Sequence, residues 1–117
     1  MGAGNFVSDN CRIIPTRLST TTLTTCYTAA GFPQVVGVRL VNFHATATPK
    51  INLLYYKATV VGSFYLQANY TMPVGNSLWL PYEGFAMYEN DLLQAISDTA
   101  NAVDVLVFIA EVPGRNQ

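Results

Sequence analysis

Residues 101–112 read N-A-V-D-V-L-V-F-I-A-E-V. Val103, Val105, Val107 and Ile109 recur at every second position, the period of a β-strand, and set an unbroken aliphatic stripe on one face. The intervening Leu106, Phe108 and Ala110 are apolar as well, and Asp104 alone interrupts them. A strand wetted on one side alternates apolar with polar residues, whereas one apolar on both sides needs cover on both. In a chain this short the second cover is expected from another subunit.

The segments upstream carry the same period. Residues 11–18 hold Pro15, which suits an edge strand or a bend. Residues 19–28 pack six threonines into ten positions, a β-branched composition fit for a pleated, partly exposed strand. In residues 34–44, Val36, Val38 and Leu40 share one side, with Gly37 and Arg39 on the other. In residues 50–58, Ile51, Leu53 and Tyr55 oppose Asn52, Leu54 and Tyr56. Shorter strands follow at 63–68, 70–74, 78–80 and 83–88, broken by Pro81 and by a Pro-Val-Gly-Asn turn at 73–76, where Gly and Asn tolerate positive φ. Residues 92–96 also fit helical spacing, yet they lie between two turn signals at a separation typical of a sandwich or barrel, so a strand is expected. The fold class is all-β: a two-sheet antiparallel sandwich, jelly-roll-like in topology.

At 117 residues the chain fits one domain, and a domain near this size buries roughly two-thirds of the surface its unfolded chain exposes. Residues 1–10, with Gly2, Gly4 and Asn5, read as a flexible arm in which Phe6 and Val7 are candidate anchors on a neighbour. Residues 11–117 read as a single β-sandwich domain. Half the residues are hydrophobic and 11% are charged, which argues against disorder and against a highly solvated monomer. The longest strongly apolar run, 105–110, is far short of the roughly 20 residues that span a bilayer as a helix, so no membrane is expected as a partner. The first residues lack the basic and apolar stretches of a signal peptide, and export is not expected. Cys11 and Cys26 lack metal-ligand spacing and read as two buried free thiols, with a disulfide between adjacent strands as the alternative.

Charge is segregated along the chain. Through residue 82 there are five basic residues against Asp9, and from Glu83 onward six acids against Arg115. Such asymmetry can align neighbouring subunits through complementary patches, and the plainer reading is loop charges that never meet. The scattered basic residues form no phosphate footprint, so no direct nucleic-acid contact is expected. Catalysis has little to work with: His44 is the single histidine, read as a hydrogen-bonded structural residue, and no nucleophile elbow or triad can be assembled around it. Glu83, Glu89 and Asp91 lack the loop signature of a calcium site, and no phosphate-binding glycine motif occurs. No cofactor, metal or catalytic residue is expected.

The order of several motifs brings a family resemblance into view. A threonine-rich strand at 21–28 ends in Ala-Ala-Gly, and Val-Gly-Val-Arg-Leu-Val-Asn follows at 36–42. Gly-Asn-Ser-Leu-Trp-Leu comes at 75–80, and the acidic turn Glu-Asn-Asp-Leu-Leu-Gln-Ala at 89–95 leads to a valine-rich strand closed by Glu-Val at 111–112. This succession, over about residues 18–112, resembles small virion proteins of tailed bacteriophages. Where that group often has Gly before the acidic Asp this chain has Asn90, which also accepts positive φ. The resemblance implies a sandwich or jelly roll acting as a head decoration or cement subunit, or as a tail or neck accessory protein. The implied localisation is the virion, assembled in the host bacterial cytoplasm. The implied partners are further copies of the chain, a homotrimer first, and the major capsid protein or another virion protein.

The aromatic side chains exceed what one small core holds, and such side chains dominate the centres of interfaces. Phe6, Leu54, Tyr56, Trp79, Leu106 and Phe108 are therefore candidates for a subunit contact, against the alternative that both faces are buried within the sandwich. A carbohydrate-binding host-attachment module, with Trp79 and Tyr82 stacking on sugar rings, is the reading from another functional class.

Overall fold

The computed structural model describes residues 11–110, with the backbone alone at 82–85. The expected arm at 1–10 and its Phe6 lie outside the described residues. Eight strands follow one another: β1 (Cys11–Leu18), β2 (Thr24–Thr28), β3 (Gln34–Asn42), β4 (Lys50–Lys57), β5 (Gly62–Thr71), β6 (Ser77–Ala86), β7 (Leu92–Ser97) and β8 (Val103–Ala110). Among the described residues there is no helix, and residues 92–96 fall in β7 as a strand.

The strands form two four-stranded sheets, ordered β1-β8-β3-β6 and β2-β7-β4-β5. The antiparallel pairs are nested, β1 with β8, β2 with β7, β3 with β6 and β4 with β5. That nesting is the jelly roll, in which a long four-paired hairpin is wrapped into two facing sheets. The β2–β3, β4–β5 and β6–β7 loops gather at one end, beside Cys11 and Ala110, which pair with each other. The other end carries the remaining four loops.

The core lies between the sheets. Val103, Val105, Val107 and Ile109 of β8 are buried, with Leu18, Val35, Val38 and Leu40 of the same sheet. Facing them are Cys26, Ile51, Leu53, Leu93 and Ala95, with Met72 and Met87 closing the sandwich ends. Each fully buried aliphatic side chain contributes about 1.5–3 kcal/mol, so the β8 stripe is a main source of cohesion. The buried, half-buried alternation of β8 matches the two stripes of its sequence.

Several strand limits differ from the sequence expectation, each for a local reason. Only Thr24–Thr28 of the threonine-rich segment is strand; Thr20 and Thr22 bond each other through their hydroxyls at 2.8 Å, holding the stretch before it as a turn. The segment expected at 63–68 and the start of the one expected at 70–74 form the single strand β5, which ends at Thr71 and leaves 72–74 outside it; its interruption is a twist at Asn69, with φ of 52° and its N–H bonded to Asn52 Oδ1 at 2.8 Å. Pro81 does not end a strand either, because β6 lies at a sheet edge, where a missing donor is tolerated. A bulge between Val35 and Gly37 turns Val36 outward and gives its expected core place to Val35. Cys26 is buried and Cys11 exposed, and both are free thiols, which corrects the expectation of two buried ones.

Candidate functional site

At the three-loop end, the acidic turn supplies an organising group. Asp91 is fully buried. Its carboxylate accepts hydrogen bonds from the Tyr55 hydroxyl, from Ala58 N at 2.9 Å and from Tyr88 N at 3.0 Å, and Lys57 Nζ stands 3.8 Å away. Its backbone joins in, with Ala29 N donating to Asp91 O and Asn90 N to Ala29 O, each at 2.9 Å. The Asp91 side chain thus ties the β4–β5 and β6–β7 loops, and the backbone of Asn90 and Asp91 ties the β2–β3 loop to them. Asn90 takes the left-handed conformation, φ 76°, that the turn requires. Burial alone raises the Asp91 carboxyl; the hydrogen bonds from Tyr55, Ala58 and Tyr88, with the Lys57 charge, outweigh it and hold the group below the usual carboxylate range. Tyr55 is raised above the ordinary phenol value, by burial first and then by its bond to the carboxylate.

The loops held this way present an apolar tip. Phe32, Val60, Val61, Phe64 and Tyr88 are between 52% and 75% exposed. Phe32 and Tyr88 pack edge to face at 5.6 Å, and Lys57 Nζ lies 4.5 Å from the Tyr88 ring centroid. Val61 has a φ of 56°, a left-handed conformation that costs a β-branched residue of order 1–3 kcal/mol. Hydrogen bonds from Val61 N to Lys57 O at 2.9 Å and to Ala58 O at 3.3 Å hold it there. The tip was not foreseen from sequence, although an aromatic residue inside Ala-Ala-Gly-Phe-Pro and two valines in a turn before Gly62 are its visible signal.

The six expected contact residues do not share one surface. Trp79, Leu106 and Phe108 lie on the outer face of the β1-β8-β3-β6 sheet, whereas Leu54 and Tyr56 lie on the outer face of the opposite sheet, with Tyr65 in register with Leu54. Phe6 is outside the described residues. Trp79 occupies the space over Gly37: a Cβ added there would stand 2.4 Å from Trp79 Cη2. Its ring meets Phe108 edge to face at 5.1 Å, and the Arg39 guanidinium covers it at 5.3 Å. Trp79 stays 37% exposed beside these contacts, and the Tyr82 side chain lies outside the described residues.

The segregated charges meet within the chain. Arg17 forms a two-pronged bond with Asp104, at 2.8 and 3.0 Å, and also covers the Phe43 ring at 4.3 Å. His44 is used locally, its Nδ1 accepting from Thr46 N at 3.1 Å and Ala47 N at 3.0 Å. Asn42 staples the four-loop end, donating to Ala47 O, Met72 O and Pro73 O and accepting from His44 N. Among the described residues no group of three His, Cys, Asp or Glu side chains is placed to hold a metal ion.

Neither a protein-family profile nor a curated protein matches the chain. Two solved structures align with it. One is the structure of infectious bursal disease virus, Gx strain, at a TM-score of 0.47 and 12% identity, over 93% of this chain and 35% of that one. The other is the VP2 subviral particle of infectious bursal disease virus, at 0.48 and 10%, over 92% of this chain and 35% of that one. The chain spans about a third of the length of these two chains. Alignments at this level assign no function, and the strand order stands on its own hydrogen bonds.

Proposed function

We propose that the chain is a non-enzymatic structural subunit of a tailed-phage particle, a head decoration or cement protein that assembles with its own copies, as a trimer, and bridges subunits of the major capsid protein. The observation that carries this reading is the apolar tip: five large side chains, each more than half exposed, on three loops and the start of β5, at the end of the sandwich that Asp91 ties together through its carboxylate and its backbone. Soluble monomers rarely display contiguous apolar patches of this kind, and aromatic side chains held rigid before contact are what the centre of an interface needs. The motif order of the sequence agrees with it. Jelly rolls serve in capsids, lectins and cupins alike, so the fold permits the reading and does not choose it.

Magnitudes narrow the arrangement. Burying five such side chains returns about 1.5–3 kcal/mol each, while association costs of order 4–15 kcal/mol. The tip alone is therefore near break-even. A lasting contact needs more than one site per subunit, as a cyclic oligomer seated on a shell provides.

Light scattering coupled to size exclusion, with and without Phe32→Ser and Tyr88→Ser together, tests the self-association. A stable oligomer at micromolar concentration that the double substitution reduces to monomer is the expected outcome. A monomer that also fails to appear in purified particles by cryo-electron microscopy overturns the proposal.

A further inference from the structure

The outer face of the β1-β8-β3-β6 sheet is covered unevenly. Towards the four-loop end the Arg17 and Arg39 guanidinium groups lie over Phe43 and Trp79. Towards the three-loop end the cover stops, leaving an open groove of about 490 Å³ lined by Cys11, Arg12, Ile13, Val36, Phe108 and Ile109. Ile13 is 54% exposed and Val36, turned outward by the bulge, is 40% exposed. The floor is apolar.

The position of this groove identifies an occupant. Cys11, the first described residue, is part of its lining, and residues 1–10 precede that point in the sequence. Within those ten, Phe6 and Val7 are adjacent large apolar residues, followed by Ser8, Asp9 and Asn10, three residue types that favour turns. Phe6 stands five positions before Cys11, a reach of at most ~18 Å, so the segment needs only one reversal to reach the groove floor. A tether this short gives an effective concentration in the millimolar range, above what free copies reach in dilute solution. We propose that the groove is the seat of the chain's own N-terminal segment, entered by the Phe6 and Val7 side chains. The segment supplies the cover that the arginine stems do not extend to, and the inference does not depend on the assembly proposed above.

The full chain offers its own reporter. Cys11 lines the groove and is exposed, while Cys26 is buried, so alkylation by iodoacetamide under native conditions reads Cys11. Replacing Phe6 and Val7 by Ser should speed that reaction about tenfold, the factor equivalent to ~1.4 kcal/mol of seating; an unchanged rate overturns the proposal. A second experiment places the segment directly. In a Cys11→Ser chain carrying Phe6→Cys and Val36→Cys, oxidation at sub-micromolar concentration should give a monomer with an internal disulfide. A linked dimer, which would assign the groove to a neighbouring copy's segment, or no linkage at all, overturns it. Because the readout is intrachain, the result does not depend on whether the protein oligomerises or binds a particle.

Discussion

Gly37→Ala is a small change that isolates how the outer face of the first sheet is built. In most exposed strands it would stabilise, since alanine gives up about 0.5–1 kcal/mol less conformational entropy than glycine. Here the new methyl would stand 2.4 Å from Trp79 Cη2 and 2.6 Å from Cζ2, with Leu80 O at 3.0 Å. The indole has to swing away. Doing so gives up the edge-to-face contact with Phe108, worth about 0.5–1.5 kcal/mol, and the overpacking cost of about 1–3 kcal/mol applies to whatever does not move. Less the entropic gain, the net loss is about 1–2 kcal/mol. In a Trp79→Ala background the ring is gone and only the Leu80 carbonyl crowds the methyl, so the same substitution should be close to neutral. The coupling between the two sites is therefore about 1–2 kcal/mol, within the range for residues in contact. Urea unfolding of the four variants measures it: with a slope of about 1–3 kcal/mol per molar, Gly37→Ala should lower the midpoint by about 1 M at unchanged slope. Trp79 is the single tryptophan of the chain, so its native emission should also move to longer wavelength in Gly37→Ala. Equal destabilisation with and without Trp79 would refute this account of the face.

The remaining expectations concern the loop staples, the tip and the thiols. Asp91→Ala leaves the Ala58 and Tyr88 amides and the Tyr55 hydroxyl without their acceptor and should cost about 3–5 kcal/mol, read as a drop in the urea midpoint. Because the folded Asp91 carboxyl lies below its ordinary value, its contribution is complete above the unfolded value, about pH 4, and disappears as pH falls from there through the folded value; Asp91→Asn should flatten the acid limb of a stability–pH profile, and an unaltered limb would remove the carboxylate from the explanation. Phe32→Ser with Tyr88→Ser gives up their edge-to-face pair and should lower stability in urea by only about 0.5–1.5 kcal/mol, while abolishing self-association in light scattering. The Cys26 thiol, pushed up to about 12 by burial, should stay unlabelled in the native protein and react after unfolding, so mass spectrometry should find one adduct per native chain and two per denatured chain.

What was legible in the sequence was periodicity, because period 2 is a local property of the chain. The stripe at Val103, Val105, Val107 and Ile109, the opposition of Ile51 and Leu53 to Asn52 and Leu54, and the left-handed Asn90 all emerge as read. The bulge at Val36 was not legible, since a strand of alternating residues carries no mark of the register in which it pairs; Gly37 was read only as lying on the side away from Val36, and the structure shows Trp79 of the neighbouring strand filling the space over it. Asp91 was readable as a turn residue. Its burial was not, because the groups that surround it come from β4 and from the loop after it, more than thirty positions away. The motifs that carried the family resemblance turn out to contain both loop staples, Asn42 at one end of the sandwich and Asp91 at the other. Such motifs mark how loops are tied and leave the choice of partner to the residues the loops display.

The second apolar side of β8 bears on how much a partner has to do. Asp104, Leu106 and Phe108 stand in register with Arg17, Pro15 and Ile13 of β1 on one flank and with Val41, Arg39 and Gly37 of β3 on the other. Arg17 closes over Asp104 and Phe43, Arg39 over Trp79, and Trp79 against Phe108. Long side chains with charged ends can cover apolar surface while keeping their charge in water, and here Arg17 and Arg39 do so in part for Phe43 and Trp79. The chain itself therefore supplies much of the cover that the strand calls for. What is left over is local: the groove beside the first strand, which the N-terminal segment is proposed above to fill, and the tip at the three-loop end. An apolar face of a whole sheet would drive indiscriminate association, whereas one small apolar tip binds weakly by itself and holds only where several copies are engaged together. A ring or shell of repeated subunits would supply such a geometry, which is what the assembly proposed above requires.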